Sequence, residues 1–390
     1  MTIKESAKEC KDYVINLRRE FHMYPEKSLE EVRTQKRVIE ELTKLEIPFE
    51  RIANTGVIGT IVGGKPGKTI ALRADMDALD LQEIADVPYR SKNDGFMHGC
   101  GHDGHTASLL GAAKVLKEIQ SELQGTVKLF FQPAEEVARG AKKMIAEGAL
   151  NGVDSIFGIH IWNSLECGKV SVEAGPRMAS AGEFTIRVKG KGGHGAMPHQ
   201  TIDAVVVGSS IVLDLQSIVS REIHPSDPAV LSVGKFEAGS RNNVIAEDAV
   251  IIGTTRCYNH EVNNLFEDRI RRVCQHTAFA HGATATLEYE TLVIPVINDE
   301  KISEIAAGSV EKIRSKEAIQ SFPALNVGED YSFFMDQVPG VLALVGCKKE
   351  AAEYYPHHHP MFDIDEDSLE VATALYAQVA YDFLAEGGEA

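Results

Sequence analysis

Between His98 and His105 the chain places three imidazoles (His98, His102, His105), the thiol of Cys100 and the carboxylate of Asp103 among three glycines. A packed core has no use for such a density of soft and borderline donors. Neutral imidazole and thiolate suit zinc, manganese, cobalt or nickel, and glycine lets the backbone turn tightly enough for neighbouring side chains to converge. The stretch reads as half of a metal site. A lone histidine between glycines is ordinarily surface decoration, so the weight falls on the combination of Cys100, His102 and His105.

Three downstream segments supply the other half. Glu135 and Glu136 follow Pro133 at the end of an apolar run. Adjacent side chains diverge there, so one carboxylate can bind metal while the other faces a reacting carbonyl as general base. His160 lies within Gly158-Ile159-His160-Ile161-Trp162, and Pro356-His357-His358-His359-Pro360 offers three more imidazoles in a loop. Taken jointly, the ligands are Cys100, His102, Glu136, His160 and one of the loop histidines. A catalytic tetrahedral ion keeps about three protein ligands and an open position. This larger set therefore implies two divalent ions, with the Cys100 thiolate as a plausible bridge.

Two architectures must position these residues. Up to about residue 177, strand-like runs (Thr69 to Ala74, Thr126 to Phe131, Ser155 to Ile161) alternate with helical ones (Ser28 to Leu45, Thr106 to Ile119). This predicts a mostly parallel sheet with helices on both faces, and chemistry at the strand ends. From Glu183 to Glu290 the order becomes strand, helix, strand, strand, helix, strand, which is the ferredoxin-like unit. The expected organisation is thus α/β: a discontinuous catalytic domain of residues 1–177 and 292–390, with an inserted α+β domain of residues 178–291.

Composition narrows the function classes. In 390 residues, 44% are hydrophobic and 25% charged, and the net charge is −17. That balance argues against a nucleic-acid or anionic-membrane partner, because no basic patch offsets it. Arg18-Arg19 and Arg271-Arg272 read as solvated helix faces. No run reaches the length of a membrane span, the N-terminus has no apolar signal core, and six cysteines lack framework spacing. A cytoplasmic protein with reduced thiols is expected.

The chain resembles the aminoacylase and carboxypeptidase G superfamily of dimetal amidohydrolases. Within it, the similarity is to the branch of indole-acetyl-amino-acid hydrolases, hippurate hydrolases and N-acyl-amino-acid deacetylases. The matching segments are Arg18 to Glu26, Arg73 to Leu79, His98 to His105, Gln132 to Glu136, Gly192 to His199, Gly328-Glu329-Asp330 and His358-His359-Pro360. They span nearly the whole chain in family order.

The resemblance implies metal ligation by Cys100, His102, Glu136, His160 and His358, with Glu135 as base. His358 is selected because the family's final metal histidine lies two positions before a proline. Asp77 matches the acidic residue that orients a ligand histidine. Two departures from the commonest superfamily pattern, Asp75 for a ligand histidine and Cys100 for a bridging aspartate, are typical of the branch and leave the metal open among Mn, Zn, Co and Ni. The inserted domain resembles a lid that forms a homodimer, in which the residue matching His194 reaches the partner's site and stabilises the oxyanion. Asn243 and Arg256 match lid positions, where a guanidinium could grip a substrate carboxylate. The implied activity is hydrolysis of the amide of small N-acyl amino acids. Its rivals are a dipeptidase or carboxypeptidase with the same centre, and a metal-dependent binding protein without catalysis.

Overall fold

The computed structural model describes residues 1–349 and 353–386. Six strands precede the inserted segment: β1 (Phe49–Ile52), β2 (Gly56–Val62), β3 (Lys65–Asp75), β4 (Gln124–Gln132), β5 (Ser155–Glu166) and β6 (Val170–Ser171). Of the strands within it, β7 (Ala181–Lys189), β8 (Ala229–Ala238), β9 (Asp248–Cys257) and β10 (Thr284–Val293) form one sheet, and the short Gly193–His194 and Val244–Ile245 pair with each other. β11 (Gly340–Lys348) follows. The helices used below are α1 (Lys11–Met23), α2 (Val32–Lys44), α3 (His102–Glu118), α4 (Ala204–Ser217), α5 (His260–Ala280), α6 (Glu300–Ile313) and α7 (Ser368–Ala385).

Contacts divide the chain into two compact units. The first comprises Met1–Gly175, Ile297–Pro323 and Asp330–Ala390; the second comprises Pro176–Val296 and Ala324–Glu329. The short segment 324–329 joins the second unit through backbone bonds from Ala179 N–H to Leu325 O (3.0 Å) and from Leu325 N–H to Arg177 O (2.8 Å). Nothing in its composition marks that allegiance.

The first unit is built on a sheet of order β1-β2-β4-β3-β5-β11-β6. Its centre, β4-β3-β5-β11, is parallel, and the flanking pairs are antiparallel. The parallel strands are buried almost end to end, as when both faces of a sheet are covered. α3 starts directly after Gly101, whose φ of 91° is a left-handed conformation that costs a side-chain-bearing residue about 1–2 kcal/mol. That abrupt start brings Cys100 and His102 to the helix N-terminus. α3 then runs buried through Leu109, Leu110, Ala113, Val115 and Leu116, packed against α1 and α7 in one continuous core.

Arg18 departs from expectation. Instead of lining a solvated face, its guanidinium is fully buried and binds Asp103 in the first turn of α3 at 2.8 Å, with Asp363 and Glu366 completing its shell. A buried arginine is tolerable only with this many carboxylates, so the pair ties α1 to the start of α3. Arg19 is half-exposed and bonds Glu366.

In the second unit four strands lie in the order β8-β9-β7-β10, all antiparallel. In chain order this is the 4-1-3-2 arrangement of a ferredoxin-like unit, as the element order predicts. α4 and α5 close its core, with Val207, Ile211, Phe266 and Ile270 fully or nearly fully buried against Phe184 and Ile251. The segment Ala204–Glu222 is by length and mean hydropathy (1.4) apolar enough to cross a membrane. This overturns the expectation that no run reaches such a length. Its buried residues recur at helical spacing (Ala204, Val207, Gly208, Ile211, Leu215) and pack on the sheet, while Val206 and Leu213 on the other side are exposed.

Candidate metal centre

The strand ends of the first unit assemble the donors. β3 delivers Asp75 and, just beyond it, Asp77; the α3 N-terminus brings Cys100 and His102; β5 carries His160. β4 ends at Gln132 and leads through Pro133 into the Glu135-Glu136 turn. Ala134 takes a left-handed φ of 56° there. Glu31 holds that conformation: fully buried, it accepts the Ala134 N–H at 2.9 Å and the Leu29 N–H at 2.9 Å on Oε1, and the Thr55 hydroxyl at 2.5 Å on Oε2. Gly140 lets the next helix start against the turn, because a Cβ there would sit 1.6 Å from the Pro133 carbonyl oxygen.

Two groups of three donors lie within 4.8 Å of one another and share one member: Cys100 with His102 and His160, and Cys100 with Glu136 and His358. The Cys100 Sγ is 3.5 Å from His160 Nε2. His102 Nδ1 faces Asp77, 3.0 Å from its carbonyl oxygen and 3.3 Å from its Oδ1. Its Nε2 is buried without a hydrogen-bond partner among the described residues. Glu135 Oε2 and Glu136 Oε1 stand 3.9 and 4.0 Å from that nitrogen. A buried, orphaned imidazole nitrogen ringed by a thiol and carboxylates fits a divalent cation.

The three loop histidines separate by environment. His357 stacks on Trp162, centroids 4.4 Å apart, with its Nε2 3.0 Å from the Ile161 carbonyl oxygen. His359 stacks on Tyr355, and its Nδ1 accepts the Met361 N–H. His358, at a left-handed φ of 65°, points its Nε2 to within 3.6 Å of Glu136 Oε2.

Burial and neighbouring charges shift the donors in different directions. Burial pushes the Cys100 thiol well above its usual range, and the neighbouring Glu136 carboxylate adds to this. Burial also holds His160 well below the ordinary imidazole value, helped by His105 and His357. His102 is raised: burial opposes its charged form, but Asp75, Cys100 and Asp77 outweigh that cost. Without metal Cys100 is thus a neutral thiol, and ligation must displace its proton.

The remaining site residues lie in the second unit. His194 is exposed in a short ladder where Val244 pairs with it, and the Gly195 N–H donates to the Asn243 carbonyl at 2.9 Å. His194 and Asn243 therefore share one loop pair beside the start of β9. Arg256 does not join them. It lies near the other end of that strand, roughly 25 Å away at 3.3 Å per residue, and donates to Thr254 Oγ1 and the Thr255 carbonyl.

A family model for peptidase family M20/M25/M40 matches residues 71–382. The chain belongs to that family. It is 39% identical over 387 residues to thermostable carboxypeptidase 2 of Saccharolobus solfataricus, covering 98% of each chain. It is also 39% identical to an N-acetylcysteine deacetylase of Bacillus subtilis, covering 94% of this chain and 96% of that one. Among solved structures, the Bacillus subtilis YXEP protein, described as a dinuclear metal-binding M20 peptidase, superposes with a TM-score of 0.86 at 35% identity, covering 97% and 99% of the two chains. The M20 chain is a hydrolase, and its α/β fold with an inserted α+β unit is that of its relatives.

Two supports of this M20 centre escaped sequence reading. Glu31 sits in a Glu30-Glu31 pair that looks like any solvated helix end. Ser28, whose hydroxyl donates to Asp77 Oδ2 at 2.6 Å, is one serine among many. Neither carries a local signal, because what defines them is a partner about 50 to 100 positions away.

Proposed function

We propose that this protein hydrolyses the amide bond of N-acyl amino acids with two divalent cations held by Cys100, His102, Glu136, His160 and His358. The observation that carries the reading is the pair of donor triads sharing Cys100. Cys100 is common to both triads, so its thiolate would help to hold either cation. When bound, the cations supply Lewis acidity to the scissile carbonyl and lower the pKa of water toward 7; their identity lies among Mn, Zn, Co and Ni.

The chain's own residues do the rest. Glu135 lies beside the donors without being needed in either triad, so its carboxylate takes a proton from the attacking water and returns it to the leaving amine. Asp77 orients His102. His194, exposed and accepting the Ala196 N–H on Nδ1, serves the oxyanion in a second copy of the chain. Asn243 accompanies His194 from the second copy, and Arg256 is the candidate grip on the substrate carboxylate.

That assignment calls for a homodimer through the second unit. β8 is an edge strand whose Val230 and Phe236 are exposed, and the neighbouring α4 exposes Val206 and Leu213. An apolar edge beside an apolar helix face is a surface that pairs. Free thiols at all six cysteines suit a reducing cytoplasm.

A relative named as a carboxypeptidase gives the peptidase reading an observation of its own. Amine release from N-acetyl, N-benzoyl and longer N-acyl amino acids, set against matching dipeptides and C-terminal peptides, decides between them. Preference for N-acyl compounds is expected. Faster cleavage of peptides would reassign the activity, and two bound metals with no turnover on any substrate would leave a binding protein.

A further inference from the structure

We infer that His105 is a positioning residue that fixes the Ile161 peptide and thereby aims His160 into the metal centre. The inference rests on the metal reading proposed above and assigns a role to an imidazole outside the ligand set. Composition alone places His105 among the donors, and with Asp75 and His102 it forms a further group of potential ligands. Its hydrogen bonds say otherwise.

The His105 ring is fully buried, 4.8 Å from the His160 ring and 5.4 Å from that of His102. The Ile161 N–H donates to its Nε2 at 2.8 Å, so that nitrogen carries the lone pair. The ring proton is then on Nδ1, which donates to Asp75 Oδ1 at 2.6 Å. Neither nitrogen remains for a cation. Asp75 is committed as well, because its Oδ2 accepts from Arg73 at 2.7 Å, and Arg73 is itself held by Gln132 and Asp330. The position where the superfamily pattern has a ligand histidine is therefore filled by the anchor of His105.

The reason for the anchor lies in the sheet. β3 pairs with β5 only as far as Arg73 opposite Gly158. Beyond that point β5 has lost its neighbour on this side, and a buried peptide N–H left unpaired costs about 1–3 kcal/mol. His105 Nε2 supplies the missing acceptor at Ile161. The carbonyl of the same residue lies 2.9 Å from His160 Nδ1, which donates to it, leaving His160 Nε2 to face Cys100 at 3.5 Å. The order of control runs from Arg73 through Asp75, His105 and Ile161 to His160.

Two isosteres separate the halves of this role. In His105→Gln an amide oxygen reaches the Nε2 position and can still accept from Ile161; in His105→Asn an amide nitrogen can still donate to Asp75 but falls short of Ile161. Cobalt(II) titration, read at the thiolate-to-cobalt absorption band, is expected to show His105→Asn binding about 10–100-fold more weakly than wild type. His105→Gln is expected to recover most of that loss. Loss of one whole cobalt equivalent in both variants would make His105 a ligand and overturn the inference, as would wild-type affinity in His105→Asn.

Ring-nitrogen NMR of the metal-free protein reads the tautomer directly. A proton on Nδ1 is expected, and a proton on Nε2 would also overturn the assignment. Wild-type protein that takes up no cobalt would instead sink the metal reading, with the tautomer still deciding what His105 holds.

Discussion

Asp77 and Glu136 are joined by a bond that side-chain chemistry alone would not suggest: the Glu136 backbone N–H donates to Asp77 Oδ2 at 3.0 Å, while Asp77 Oδ1 faces His102 Nδ1 at 3.3 Å. One carboxylate thus sets the pose of two donors on different elements. Partners of metal ligands typically contribute about 10–100-fold in metal affinity. Asp77→Ala is expected to lose affinity at the upper end of that range, read by chelator competition. An unchanged dissociation constant would reduce Asp77 to packing.

Glu135→Gln keeps shape and hydrogen bonding but removes the base. Turnover should fall by about 10²–10⁴-fold, the usual contribution of a general base, with metal content at the wild-type level by elemental analysis. Loss of a metal equivalent along with activity would exchange the roles of Glu135 and Glu136.

His98 makes a prediction about acid stability. Its ring is buried with no hydrogen-bond partner on either nitrogen among the described residues, and burial pushes its pKa down to about 4. An unfolded histidine titrates near 6.5. Because the folded value is the lower one, the stability it supports is complete above about pH 6.5 and is lost as pH falls toward 4, at roughly 1.4 kcal/mol per pH unit. Denaturant unfolding of metal-free His98→Gln between pH 7 and pH 4 should therefore slope less steeply than wild type. Parallel curves would show that burial does not hold His98 neutral in the fold.

Leu213 is 73% exposed on α4 and Phe236 39% exposed on the edge strand β8. Replacing both with glutamate puts charge into the proposed dimer face, and neither residue belongs to the buried core cluster of the second unit. Sedimentation should show a dimer becoming a monomer, and activity should fall with it, because His194 then has no second site to serve. A monomeric variant of full activity would remove His194 from catalysis of the partner.

Much of this was legible in sequence because the relevant residues cluster in short segments. His98 to His105, Glu135-Glu136 and the triple histidine loop announce themselves, and the change from alternating strands and helices to a ferredoxin-like order marks the insert. Arg18 was not legible, since a surface arginine and one buried against Asp103 look alike until the helices are packed. Glu31 failed for the same reason. The apolar stretch at Ala204–Glu222 was underestimated because its inward residues belong to the core and its outward ones to a second surface. His105 was visible as a potential donor, but its role depends on where β3 stops pairing with β5, which no local pattern encodes.

The insertion also bears on how the first unit folds. β5 and β11 pair in parallel although Ile156 and Gly340, aligned with each other, are separated by the whole inserted segment. Within that segment Ala181 and Val293 are neighbours on β7 and β10. Once the insert has folded on its own core, its two ends are already side by side. The loop that β5 and β11 must close then shrinks from about 180 residues to about 70, which lowers the entropic cost by about 1 kcal/mol. The insert acts as a clasp formed early, and a substitution that slows its folding should delay the first unit even where the two share no residue.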